Sequence, residues 1–242
     1  MLKEISSVFS FLTIIPAHNA TLETVAKYMW LFPVVGLAIG LAVGGFAYGL
    51  EFTGLDPLII ALFVMVVIAL ITGIHHTDGL ADFADGMMTK GTKEEKLHAM
   101  KDVSTGSAGI TTIVLYIVGM IISLSLLKGF EIFIAIVLSE VMAKFSMVLM
   151  ASIGHSAALG SNSPFLSLMK SKKKQAAATI LTLVPLIVLG GGTGLLVFAA
   201  GVTLTFFLVA ISSRSFGGIT GDVFGATNEL TRLVSLLIFV SL

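Results

Sequence analysis

Gly73-Ile-His-His-Thr-Asp-Gly-Leu-Ala-Asp-Phe-Ala-Asp-Gly-Met-Met88 is the stretch on which the reading of this chain turns. It carries Asp78, Asp82 and Asp85, and it follows directly on Leu58 to Thr72, an apolar run without a charge. At 100° per residue, a continued helix sets Asp82 about 40° to one side of Asp78 and Asp85 about 20° to the other. The three acids then share one face, with His75 on its edge and His76 turned away. Carboxylates this close repel one another unless a cation sits between them. Hard oxygen ligands suit Mg²⁺, with Mn²⁺ or Ca²⁺ as substitutes. Gly79 and Gly86 each follow an aspartate and leave room for a ligand at the backbone. The competing reading is a solvated loop, since Asp-Gly is also a turn signal. Three acids at i, i+4 and i+7 on the edge of a membrane segment favour function.

The surroundings place that stretch in a membrane protein. Of 242 residues, 56% are hydrophobic and only 12% charged, where a soluble domain carries about a quarter. The formal net charge is zero, so nothing argues for nucleic acid. No cysteine is present, which excludes disulfides, thiolate catalysis and Cys-ligated zinc. No linker divides the chain, so one domain over 1–242 is expected.

Residues 2–15 are too short to span and are expected as an interfacial helix ended by Pro16. Spans are expected near 25–50, 57–76, 110–127, 132–153, 176–189 and 195–212. The last apolar run, Leu230 to Leu242, is read as the end of a helix that begins near Gly221. The expectation is therefore an all-α polytopic bundle of about seven transmembrane helices. Gly36, Gly40 and Gly44 recur every four residues, which admits a close helix neighbour. Glu140 and Lys144, at i and i+4, are expected to pair inside the bundle. The loops at 89–107, 154–175 and 214–229 hold Lys90, Lys93, Lys96, Lys101, Lys170, Lys172, Lys173, Lys174 and Arg214, while the opposite loops hold only Lys128. That bias turns the acid cluster toward the cytoplasm of a cell-membrane protein.

Two further stretches face the same side. Met100-Lys-Asp-Val-Ser-Thr-Gly-Ser-Ala-Gly109 offers Asp102 to a metal. Its Ser104, Thr105, Gly106 and Gly109 resemble a phosphate-cradling turn at a helix N-terminus. A plain N-cap at Ser107 explains the same residues. Gly217-Gly-Ile-Thr-Gly-Asp-Val-Phe-Gly-Ala-Thr-Asn-Glu-Leu230 places Asp222 and Glu229 on one helical face, with Asn228 to one side. Its alternative is a glycine-rich helix contact. His98 and His155 read as structural or solvated. Many acids, glycines that admit phosphate and nearby basic loops, without a Ser-His-Asp or Cys nucleophile, suit metal-assisted phosphoryl chemistry with a carboxylate as base.

Those three stretches, with Phe11-Leu-Thr-Ile-Ile-Pro16 and Phe32-Pro-Val-Val-Gly36, resemble the cobalamin synthase family, the adenosylcobinamide-GDP ribazoletransferases. The resemblance runs nearly end to end. Ile14 and Lys144 stand where many members have arginine, and Val103-Ser-Thr105 also departs from the family pattern. The resemblance implies a Mg²⁺-dependent membrane transferase that joins adenosylcobinamide-GDP to α-ribazole or its 5′-phosphate and releases GMP. It implies catalytic and metal-binding roles for Asp78, Asp82, Asp85 and Asp102. It implies substrate contacts from His75, Gly79, Gly86, Lys101, Ser104, Gly106, Gly109, Asp222, Asn228 and Glu229. Expected partners are those two substrates and membrane lipid, with a homo-oligomer left open. The alternatives are a CDP-alcohol phosphotransferase acting on a lipid acceptor and a cation-coupled transporter. An inverted repeat of the acid motif would favour transport, and none is visible.

Overall fold

The computed structural model describes residues 2–17, 20–157 and 163–242. In chain order the helices are α1 (Leu2–Leu12), α2 (Leu22–Lys27), α3 (Phe32–Glu51), α4 (Pro57–Thr72), α5 (His75–Met88), α6 (Lys93–Ala99), α7 (Ser107–Leu126), α8 (Phe130–Ile153), α9 (Ser163–Leu168), α10 (Lys172–Phe216) and α11 (Gly221–Val240). A 3-10 turn, Met29–Leu31, leads into α3. Among the described residues there is no strand beyond one isolated bridge, Ser156 to Ile219, so the chain is all-α as expected.

α8 is the axis of the bundle. From Ala135 to Val148 none of its side chains is exposed, the mark of a helix enclosed on all sides. α3, α10 and α11 pack around it. The α3 contact depends on the three spaced glycines. A Cβ on Gly36 would stand 2.5 Å from the Glu140 carbonyl oxygen, one on Gly40 2.7 Å from the Val137 Cα, and one on Gly44 3.0 Å from the Phe133 carbonyl oxygen. These glycines therefore bring two backbones together, as their spacing predicts.

Among the described residues, five helical segments are long and apolar enough to cross a membrane, and α4 with α5 makes a sixth if that bent pair counts as one span. The seven expected require α10 to count twice. Its 45 residues would extend about 68 Å if straight, more than twice a hydrocarbon core of about 30 Å. It is not straight. Gly191, at φ 52 and ψ −125, breaks it, and Gly194 comes back against the Leu186 backbone. At the fold-back, Gly190 lies beside Leu138 in the middle of α8. Both ends return to the far end of α8. Lys170, just before α10, donates to the Gly154 carbonyl at 3.0 Å, and Ile219, just after it, donates to the His155 carbonyl at 2.8 Å.

One expectation changes. The second span does not run on through His76 with the acids at its end. It stops at Thr72, where Gly73 (φ 66) and Ile74 (φ 54) take left-handed backbone and α5 departs at 93°. Glycine supplies the first of those conformations freely and closes α4 through its N–H to Ala69. Ile74 is the only non-glycine of positive φ among the described residues, unusual for a β-branched side chain. α5 therefore lies across the end of the bundle. α1 is tied to the same hinge by the Ile14 N–H, which donates to the Ile71 carbonyl at 2.8 Å.

Candidate active site

α5 crosses the first turn of α11 at two glycines. A Cβ on Gly79 would stand 3.0 Å from the Asp222 Cα, and one on Gly225 would stand 3.0 Å from the His76 carbonyl oxygen. Gly79 thus makes room for a helix, not for a ligand. The crossing sets Asp222 against the face of α5 that carries His75 and Asp78, both exposed, and the half-buried Asp82. Thr220 caps α11 by accepting the Val223 N–H and donates its hydroxyl to Asp222 at 3.3 Å. Partial burial, followed by the charges of Asp222, Asp78 and Asp85, raises the Asp82 carboxyl from 3.8 to about 6. Lys101 lies within electrostatic reach of Asp222, so the exposed loop before α7 borders this groove.

Asp85 has a different part. Its two oxygens accept the backbone N–H of Gly106 at 2.7 Å and of Gly109 at 2.8 Å. It fills the N-terminus of α7 that the sequence offers as a phosphate cradle. Gly106, and not Ser107, is the N-cap residue there. Gly109 leaves the space that the Asp85 carboxylate occupies. Gly86 likewise packs against the Met100 side chain and the Lys96 carbonyl rather than opening to a ligand. Asp102 and Ser104 are exposed and bond to each other, the Ser104 N–H donating to Asp102 at 2.9 Å. Several loop cations close helix ends instead of standing free. Lys96 donates to the Met87 and Thr89 carbonyls at the end of α5, and Lys170 does the same at the end of α8.

Asn228 and Glu229 do not reach the groove. They lie six and seven residues beyond Asp222 on α11, about 10 Å further along the axis, and are 0% and 1% exposed. They belong to a network that locks α7, α8 and α11 together. Lys144 donates to Asn228 at 2.7 Å and to Glu140 at 3.4 Å. Arg232 pairs with both Glu140 and Glu229, and the Tyr116 hydroxyl joins Glu229 and Arg232. Two acids and two bases balance, so the charges are buried as a neutral set. The expected Glu140–Lys144 pair is present, but Glu140 holds Arg232 as well. The sequence does carry the signal for Arg232, a lone cation in an apolar run. Nothing local marks Tyr116.

The groove communicates with a cavity of about 490 Å³ below the α5–α11 crossing, walled by α1, the start of α3, the Gly73 hinge, α8 and α9. Asp222, His75 and His76 border it. His76 is buried.

Of the four carboxylates expected as a metal set, Asp85 accepts the Gly106 and Gly109 N–H groups at the start of α7, and Asp102 accepts the Ser104 N–H in an exposed turn. Among the described residues no three His, Asp or Glu converge into a cage for an ion. Asp78, Asp82 and Asp222 stand within electrostatic reach of one another, all hard oxygens in mutual repulsion. That chemistry fits Mg²⁺, which is ordinarily held by one or two carboxylates plus substrate phosphates rather than by an all-protein cage.

A family profile described as cobalamin-5-phosphate synthase matches residues 4–240. Curated proteins named adenosylcobinamide-GDP ribazoletransferase are similar along the chain. That of Archaeoglobus fulgidus is 34% identical over 98% of this chain and 96% of its own length. That of Pyrococcus abyssi is 31% identical over 96% and 95%, and that of Methanococcoides burtonii is 30% identical over 96% and 89%. No solved structure matches the chain.

Proposed function

The chain belongs to the cobalamin-5-phosphate synthase family, and from that membership we infer that it is an adenosylcobinamide-GDP ribazoletransferase of the membrane. It joins the cobinamide-GDP to a ribazole and releases GMP. The observation that carries a residue-level reading is the α5–α11 crossing, which collects Asp78, Asp82 and Asp222 in one groove at the end of the bundle.

In the step proposed, a ribose hydroxyl of the acceptor attacks the cobinamide-side phosphorus of the donor pyrophosphate. The new P–O bond forms as the P–O bond to the bridging oxygen breaks, and GMP leaves with that oxygen. Asp82, partly buried and with its carboxyl near 6, is suited to take the hydroxyl proton. Asp78 and Asp222 would hold Mg²⁺, or Mn²⁺ in its place, which when bound offsets charge on the pyrophosphate and orients it. Lys101, across the groove, draws the anionic donor in. Asp85 positions the others by fixing α5 to the N-terminus of α7. The basic loops favour a cytoplasmic groove in the cell membrane. α-Ribazole and its 5′-phosphate both suit a site with hydroxyl chemistry at an acid cluster. The deciding experiment is turnover by the purified protein in detergent with adenosylcobinamide-GDP, α-ribazole and Mg²⁺. Stoichiometric GMP and cobalamin are expected, and GMP without a cobalamin product would refute the transfer.

A further inference from the structure

The acceptor has one apolar aromatic base, and the cavity beneath the crossing has the chemistry to receive it. Its volume of about 490 Å³ lies within the range of roughly 300–1,000 Å³ typical of small-molecule sites. A nucleoside fits that space, whereas a corrinoid with its adenosyl group and nucleotide does not. Four phenylalanines line it, and their rings form a connected series. Phe11 lies 6.0 Å from Phe32 and 5.4 Å from Phe165, and Phe165 lies 6.4 Å from Phe224. Such a wall takes a flat aromatic body by offset stacking and edge contacts.

The polar inventory narrows the choice of base. The hydroxyls of Ser10, Thr13 and Thr72 at this cavity already donate to carbonyls of their own helices. Among the described lining residues, His76 alone has a buried polar atom without a partner, its Nδ1. Apart from His75 and Asp222, which border the groove, the lining offers few partners for the several donors and acceptors of a guanine or adenine. The dimethylbenzimidazole of ribazole brings two methyl groups, a fused ring pair and one free ring nitrogen. That nitrogen is an acceptor, and a neutral imidazole can present one N–H. Asp222 stands at both the cavity wall and the acid groove, so a base in the cavity leaves its ribose at the carboxylates.

Resting on the ribazoletransferase reading above, we propose that the cavity enclosed by α1, α9 and the α5–α11 crossing is the acceptor subsite, in which Phe11, Phe32, Phe165 and Phe224 enclose the benzimidazole and His76 bonds its free ring nitrogen.

The test is calorimetric titration of the full-length protein in detergent with α-ribazole alone, followed by separate KM values for acceptor and donor. Free 5,6-dimethylbenzimidazole and guanosine serve as competitors. His76→Gln and Phe11→Ala are the variants, each checked for an unchanged unfolding midpoint. Phe11 is 38% exposed on α1, so its truncation spares the bundle core and covers the case in which His76→Gln does not fold. The expected result is binding of α-ribazole without donor, competed by dimethylbenzimidazole and not by guanosine. Each variant should weaken it tenfold or more and raise the acceptor KM by a similar factor, with the donor KM within twofold. Equal competition by guanosine, a rise confined to the donor KM, or unaltered acceptor binding in both variants would overturn the proposal. Acceptor binding that follows this pattern in a protein that forms no cobalamin would refute the transfer reading and leave the subsite standing.

Discussion

Asp85 of α5 accepts the backbone N–H of Gly109 of α7 at 2.8 Å, and with its other oxygen it accepts the N–H of Gly106. A carboxylate from one helix thereby caps another. Charge-assisted bonds to free N-terminal amides are among the stronger hydrogen bonds, helped by the helix dipole.

Asp85→Asn should therefore act on stability before it acts on chemistry. The amide presents one acceptor and one donor to two N–H groups, leaving one unpaired at a cost of about 1–3 kcal/mol. A lowered unfolding midpoint by circular dichroism in detergent is expected, with Asp78→Asn at the wild-type value or above. Equal midpoints for Asp85→Asn and wild type would remove the capping role.

Arg232 should be the least replaceable cation of the bundle. It pairs with Glu140 and Glu229, each almost wholly buried. Arg232→Met strands at least one buried carboxylate, at about 3–5 kcal/mol. Arg232→Lys should recover little, since an ammonium lacks the planar fork that reaches two acids and Tyr116. The measurement is the yield of folded monodisperse protein and its unfolding midpoint. The double variant Arg232→Met with Glu229→Gln should fare better than Arg232→Met alone, and no recovery would argue against the pairing.

Asp82 gives a pH signature whose sign is fixed. Its carboxyl titrates near 6 in the fold and near 3.8 when unfolded, so the folded state holds the extra proton between those values. Its stabilising effect is complete below about 3.8 and is lost as pH rises through about 6. In chelator the unfolding midpoint should fall between pH 4 and 7, by less in Asp82→Asn. Millimolar Mg²⁺ or Mn²⁺ should restore it at pH 7, where the carboxylates are ionised, and do little at pH 4. Turnover of Asp82→Asn should drop by roughly a hundredfold, the scale of losing one preorganised charged group. A cation effect equal at both pH values would count against a site in this groove.

The loop charges make a topological prediction. Single cysteines at Lys93 and Lys172, both exposed in this cysteine-free chain, should resist an impermeant thiol reagent in intact cells and react after lysis. Labelling of either from outside would reverse the orientation.

The sequence by itself determined the class. Apolar runs of helix-spanning length, the fourfold glycine spacing of α3 and the one-sided lysines follow from local composition and period, so they could be read without a partner in view. The i, i+4, i+7 spacing likewise put Asp78, Asp82 and Asp85 on one face of α5, because helical phase is a local property. What those acids touch is not local. Only the tertiary structure decided that the chain turns by 93° at Gly73 and Ile74, which carries α5 across α11 and brings Asp222 to Asp78 and Asp82. It also decided that Asp85 and Glu229, alike as acids in sequence, are taken up as a helix cap and a buried counter-ion. The reason is physical: a carboxylate's role depends on which donors lie within about 3 Å, and here Asp85 takes its donors from residues 21 and 24 positions away, while Glu229 joins Arg232, three positions away, with Tyr116, 113 positions away.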